Sequence, residues 1–266
     1  MGIYRYLTFF GVDYFCLGRK FLVFNLVGRN LKVKYRRSVL GVLWTLLSPL
    51  AMALTYYLVF KMVMKVQIPH YVAFVLSGIL PWSFFSQTVM EGVDSVAGNG
   101  ALITKVPVPI QVFPLVGTLT NLVTLSFAVP ILIGASLVTG VVLGPSVVLL
   151  VYYFLALFLF AYSLSVVFGI LYVFFRDLKH LMGIGMQLWF YATPVIYSVE
   201  MVPARFRWIV YVNPVGTAFV ALHRILSRGE WPSYPEVWVT AAWVVALSCV
   251  ALGVYKLAAQ DVAENI

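Results

Sequence analysis

Charge is what this chain has least of. Of its 266 residues, 10% are charged and 62% hydrophobic, against about 25% charged in soluble domains. A soluble fold so apolar would lack the polar surface to cover its core, so the chain reads as an integral membrane protein. Cysteine is nearly absent. Cys16 and Cys249 stand at opposite ends of the chain and suggest neither a disulfide nor a metal site. A phosphate-binding loop is missing too: ATP hydrolysis needs a glycine-rich turn closing on Gly-Lys-Ser/Thr, and no Gly-Lys dipeptide occurs. Any ATP drive therefore comes from another subunit, with ATP and Mg bound there and no cofactor on this chain. Val106 to Phe175 also runs 70 residues without Asp, Glu, Lys or Arg. Gradient-driven transporters carry ions or protons on such groups inside their spans, so their absence disfavours that class.

What is present is a series of uncharged runs, each to be compared with the ~20 apolar residues that cross a bilayer. Ser38–Phe60 and Val66–Met90 are the first two. The 70-residue run divides at Thr139-Gly140 and Gly144-Pro145, which are turn chemistry. Leu181–Val199 and Val237–Tyr255 complete six. The expected fold is thus all-α, in one membrane domain over 1–266, with spans about 38–60, 68–90, 108–138, 146–175, 180–199 and 236–257. Trp208–Ala221 is apolar but short and broken by Asn213-Pro214, so 200–234 is expected to be an extracytoplasmic, re-entrant segment. Thr193-Pro194 should kink the fifth span.

Six spans put Arg5, Arg19, Lys20, Arg29, Lys32, Lys34, Arg36, Arg37, Lys105, Arg176, Lys179 and Lys256 on one side. Lys61, Lys65, Arg205, Arg207, Arg224 and Arg228 fall on the other. The side richer in Lys and Arg is the cytoplasmic one, which predicts both termini in the cytoplasm. Ile3, Leu7, Phe10, Tyr14, Leu17, Phe21 and Phe24 recur at steps of three and four, the stripe of a helix. Its interspersed charges suit an amphipathic helix over 3–28 lying in the interface. Residues 1–37 hold eight basic groups against Asp13. Directly before a span, such a cluster suits anionic lipid rather than nucleic acid.

Membrane enzymes acting on lipid-linked glycans remain an alternative, since acid–base work or a metal needs paired carboxylates. Glu91 and Asp94 are three apart, and Glu200, Glu230 and Glu236 are scattered through the last loop. The ordinary reading of Glu91 and Asp94 is that they solvate the end of the second span. Aromatics make up 16% of the chain. Tyr56, Tyr57, Trp82, Phe84, Trp189, Phe190 and Tyr191 are candidates to line a conduit, although most membrane aromatics pack or anchor at the interface. Six helices make a small bundle, so a wide passage would lie between two copies.

Three stretches carry a resemblance. The first is Lys32-Val33-Lys34-Tyr35-Arg36-Arg37-Ser38-Val39-Leu40-Gly41-Val42-Leu43-Trp44 with Ser48-Pro49. The second is Pro81-Trp82-Ser83-Phe84-Phe85, then Asn99 and Leu102-Ile103-Thr104-Lys105-Val106-Pro107. The third is Phe175-Arg176-Asp177-Leu178, Gln187 through Tyr197, and Asn213-Pro214. Together they resemble the permease subunit of type-2 ATP-binding-cassette exporters of polysaccharides, of the O-antigen, teichoic acid or capsule type. Arg29-Asn30 stands where such proteins often show Arg-Asp. The resemblance implies a bacterial inner membrane and two permeases joined to two ATPase subunits, moving a glycan on undecaprenyl diphosphate. It implies coupling to the ATPase through Gly98, Asn99, Leu102 and Lys105 with Arg176 and Asp177. By the same resemblance Arg29, Lys32, Lys34, Arg36 and Arg37 would meet the lipid diphosphate.

Overall fold

A computed structural model describes residues 15–36, 43–103 and 108–265, and among these it is all-helical. Helix α1 covers Lys20–Tyr35, after a short 3-10 turn at Leu17–Arg19. Helix α2 covers Leu43–Tyr56 and continues as a π turn through Tyr57–Val63. Helix α3 is Tyr71–Ser95, and after a 3-10 turn at Ala97–Asn99 comes the short α4, Gly100–Ile103. Helices α5, Val112–Val138, and α6, Leu149–Phe174, are antiparallel neighbours across Gly140, whose φ of +88° makes the turn. Then follow α7, Leu178–Ala192, the short α8, Trp208–Val212, and α9, Gly216–His223 with its π turn Arg224–Arg228. The long α10, Tyr234–Asn265, closes the chain.

Five of these helical stretches are long and apolar enough to cross a bilayer, and the bent pair 204–212 and 216–228 would make a sixth by composition. That pair turns through 108°, a bend that a broken span and a re-entrant segment share. Helix α7 is the expected fifth span, but at 1.5 Å per residue its 15 residues reach only about 22 Å. It starts beside Asp94 of α3, to which Lys179 is paired, and ends level with Gly78. The irregular 193–198 segment carries the chain on from there.

The expected kink at Thr193-Pro194 is instead a helix end. A residue preceding proline is driven out of the α region, and Thr193 is extended (φ −103°, ψ 138°). The helix end is held by the bent pair 204–228, where Asn213 Nδ2 reaches the Ala192 carbonyl at 3.4 Å. Asn213 Nδ2 donates to Thr193 Oγ1 at 2.8 Å, and Asn213 Oδ1 accepts from Trp189 Nε1 at 2.9 Å. His223 Nε2 donates to the Pro194 carbonyl at 2.8 Å, while its Nδ1 lies 2.8 Å from Ser77 Oγ and its ring stacks on Phe74. Gly78 is what lets this segment in: a Cβ there would sit 2.0 Å from the Val195 carbonyl oxygen.

Helix α3 is the axis. Of its span 78% is buried, against 17% for α2 and for α10, because α5, α6, α2, α7 and α9 all pack around it. Helix α6 comes closest at Gly92, where a Cβ would lie 2.2 Å from Ser165 Oγ. Two other boundaries differ from expectation. Helix α1 extends to Tyr35, so the basic stretch is helical rather than a linker, while 3–14 and 37–42 lie outside the described residues. Helix α3 continues past Met90 to Ser95 and carries Glu91 and Asp94 on its last two turns.

Candidate functional site

Two ends of the bundle carry the polar chemistry, and each is named here by its glutamate. At the Glu91 end, Lys34 Nζ reaches from α1 to Glu91 Oε1 at 3.2 Å and Asn121 Oδ1 at 2.8 Å. Asn121 Nδ2 donates to Glu91 Oε2 at 2.8 Å, and Gln87 Nε2 to Glu91 Oε1 at 3.0 Å. Tyr35 and Thr124 hydroxyls add a bond of 3.0 Å. Three residues on, Asp94 pairs with Lys179 of α7. At the Glu236 end, Arg224 binds buried Glu236 at 3.1 Å and Glu230 at 3.5 Å, and Arg228 binds Glu200 at 2.8 Å.

These pairings settle where the five candidate carboxylates go. Glu91 and Asp94 tie α3 to other helices rather than merely solvating its end. Glu200, Glu230 and Glu236 do converge through folding, but each is paired with an arginine. No cluster of three or more metal-ligating side chains occurs among the described residues.

The basic set divides in two. Arg29, Lys32 and Arg36 are exposed, at spacings of three and four along one side of α1, together with Phe21 and Phe24. Lys34 turns the other way into the Glu91 network. Arg37 lies outside the described residues. Phe21 and Phe24 thus share one exposed side with the basic residues, whereas an amphipathic interfacial helix sets apolar and charged residues on opposite faces.

Of the coupling candidates, Gly98 and Leu102 are exposed, and Asn99 is half-buried with Nδ2 donating to the Ser95 carbonyl at 2.8 Å. Lys105 lies outside the described residues. Arg176 sits over the Tyr172 ring at 5.2 Å, and the Asp177 carbonyl accepts the His180 and Leu181 amides to start α7. Because Lys179 pairs with Asp94, the Arg176-Asp177 turn and the 97–103 segment leave the bundle at the same end. An open groove lined by Leu171, Phe174, Phe175, Leu178 and Leu181 lies at this turn.

Most conduit candidates are packed instead of free. Trp82, Phe84 and Phe190 are buried, and Tyr56, Tyr57 and Trp189 are half-buried. Four of these rings join one chain of contacts through Phe85: Tyr56 on Phe190, Phe190 on Trp82, Trp82 on Phe85 and Phe219, and Phe85 on Trp189, all at 5.3–6.2 Å, while Tyr57 lies against Tyr71. Tyr191 is the exposed member, edge-on to Phe190 at 5.2 Å. It continues a stripe of exposed Leu181, Ile184 and Leu188 on α7. Leu43, Trp44, Leu47, Leu54 and Leu58 of α2 are exposed as well.

Residues 22–226 match the membrane domain described as ABC-2 type transporter. The chain belongs to that family. An O-antigen export system permease protein RfbA of Klebsiella pneumoniae is 32% identical over 211 residues, 78% of this chain and 81% of that protein. A second Klebsiella pneumoniae protein of that name is 30% identical over 236 residues, covering 88% of this chain and 91% of its own length. One from Myxococcus xanthus is 33% identical over 254 residues, covering 92% and 95%. This ABC-2 chain is therefore a multi-pass membrane subunit of a transporter that works with an ATP-binding partner.

Sequence reasoning missed the Glu91 network and the His223–Ser77–Pro194 bridge. A signal for the first was available: Asn121 is the one asparagine in the 70-residue uncharged run, and a buried amide needs partners. His223 lay in a segment read as a loop, with nothing in its neighbours pointing to Ser77, 146 residues away.

Proposed function

We propose that the chain is the permease of an ATP-driven exporter that moves a lipid-linked polysaccharide of the O-antigen class across the bacterial inner membrane. The observation that carries this reading is the near full-length likeness to three O-antigen export permeases. Two copies would pair with two ATPase subunits. The exposed α7 stripe and the largely uncovered α2 leave a continuous apolar surface on which a second copy could pack. The first described residues and the end of α10 meet, with Tyr255 close to Cys16, which supports both termini on one side, the cytoplasmic one.

Exposed Gly98 and Leu102, with the groove at Arg176-Asp177, suit the seating of an ATPase at the Glu91 end. Arg29, Lys32 and Arg36 would meet anionic lipid and the undecaprenyl diphosphate by charge-assisted contacts. In this reading the chain does no covalent chemistry. ATP binding and hydrolysis in the partner shift the coupling segment, and the helices rearrange around a path between copies. Deleting the gene for this chain should abolish the surface glycan while the lipid-linked polymer accumulates inside the cell. Unchanged surface glycan would refute the reading. Accumulation of unmodified lipid-linked precursor, with no full-length polymer, would favour an enzyme. Teichoic acid or capsular polymer stays as the alternative cargo, distinguished by which polymer is retained.

A further inference from the structure

The last two turns of α3 touch more of the molecule than their length suggests. Glu91 faces α1 and α5 through Lys34 and Asn121, Gly92 faces α6 through Ser165, and Asp94 faces α7 through Lys179. Three residues after Asp94 the chain enters the Ala97–Asn99 turn and then α4. The segment that projects from the bundle is thus a direct continuation of the turn holding both α1 and α7. The Ala97–Asn99 turn follows α3 at once and Asn99 Nδ2 donates to the Ser95 carbonyl, so a tilt of 97–103 pulls on the turn that carries Glu91 and Asp94.

Both ion pairs at this end are partly exposed, like Arg224–Glu230 and Arg228–Glu200 at the other end and unlike Arg224–Glu236. Lys34 and Glu91 side chains are 23% and 42% exposed, and Lys179 and Asp94 are 47% and 41% exposed. Partly hydrated pairs separate at little cost, because water takes over each charge. Glu236 is only 6% exposed in its pair with Arg224, and parting that pair would strand a buried charge. What sets the Glu91 end apart is that its separable pairs join two other helices, α1 and α7, to the last turns of α3, next to the 97–103 segment.

We infer that Glu91 and Asp94 are positioning residues that latch α1 and α7 to α3 in the resting permease, and that displacement of the 97–103 segment releases both. The latch rests on the reading of the chain as an ATP-driven exporter. Its release would free both α1, which keeps its Lys34 and Tyr35 bonds to α5, and α7 from α3 in one event, giving the lipid headgroup and the glycan access together. Idle ATP turnover is restrained while the latches hold, since the coupling segment is then fixed.

The test uses the permease–ATPase complex in nanodiscs, read for ATP turnover without glycan and for glycan export. Glu91→Gln and Asp94→Asn should each raise idle turnover about three- to fivefold and lower export per ATP, as loss of a small resting-state preference does. Exchanging the charges in Lys179→Asp with Asp94→Lys should restore the resting rate, which a purely structural role for either side chain would not require. A D94C/K179C pair, in a Cys249→Ser background, should stop turnover and export when oxidised and recover both on reduction. This covalent lock carries the test wherever a single substitution prevents assembly. Full turnover in the locked complex, or idle turnover unmoved by E91Q and D94N, overturns the latch alone. A wild-type complex without ATP turnover overturns the export reading itself, and the latch with it.

Discussion

The two ends of α3 solve opposite problems with similar residues. At the Glu236 end, backbone is irregular at membrane depth, and every element is sewn in place: Asn213 on Thr193 and Trp189, His223 between Ser77 and Pro194, Arg224 on buried Glu236. Irregular backbone survives inside a bilayer only where protein or water satisfies it. At the Glu91 end, by contrast, regular helices are joined by partly exposed ion pairs. The contrast lies in what is joined: at the Glu236 end buried Asn213, His223 and Glu236 fix irregular backbone, while at the Glu91 end the contacts tie α1 and α7 to one helix terminus.

The sharpest break in this comparison is glycine against glycine. Gly78→Ala puts a Cβ against the Val195 carbonyl, which is backbone, whereas Gly92→Ala first meets the Ser165 side chain. Gly78→Ala should cost about 3 kcal/mol and abolish assembly of the 193–198 segment. Gly92→Ala should cost less, and pairing it with Ser165→Gly should recover part of the loss. Thermal unfolding of the detergent-purified chain, followed by size exclusion, measures both. Equal losses at the two positions would remove the distinction between the ends.

Next in size is Asn213→Ala, expected to cost about 2 kcal/mol because it leaves buried donors and acceptors unpaired. Gln87→Ala, at the other end, should cost under about 1 kcal/mol, since Glu91 keeps Lys34 and Asn121. The same unfolding assay ranks the pair, and a reversed order would contradict the fixing of irregular backbone at the Glu236 end.

The smallest effects belong to the outward side of α1. Replacing Arg29, Lys32 or Arg36 with Gln should weaken binding of the purified chain to phosphatidylserine-containing vesicles by about 1 kcal/mol each. The loss should shrink as salt is raised, with no change in unfolding temperature. Lys34→Gln should behave differently, lowering the unfolding temperature more than the vesicle binding. If all four substitutions acted alike, the division of the basic set between lipid and bundle would be wrong.

Much of the architecture was legible because its determinant is one-dimensional. An uncharged run of sufficient length becomes a helix in lipid, and Gly140 with Gly144-Pro145 divided α5 from α6 as their turn chemistry requires. Asn213-Pro214 likewise marked the bend of the 204–228 pair. The errors share a cause in three-dimensional compensation. Glu91 and Asp94 looked like the close of a span at Met90, yet α3 continues because Lys34 and Lys179, 57 and 85 residues away, neutralise them. Thr193-Pro194 was read as a kink because no sequence pattern reveals that Asn213 and His223 hold the chain there. The aromatics could not be sorted into packed and open, since facing depends on which helices are neighbours. Trp82 is enclosed by Phe190 and Phe219, while Tyr191, adjacent in sequence to Phe190, stands open.

The shortness of α7 has a consequence for the membrane around it. Helix α3 is about 38 Å long and α7 about 22 Å, beside a hydrocarbon layer of ~30 Å. On the α7 flank, lipid must thin to meet the protein, at a cost that rises with each ångström of mismatch. A protein surface laid against the same flank needs no such adjustment. If two copies pair through that flank, as proposed, thicker bilayers should favour the pair over the solitary chain, making lipid chain length a control on its assembly that involves no side chain at all.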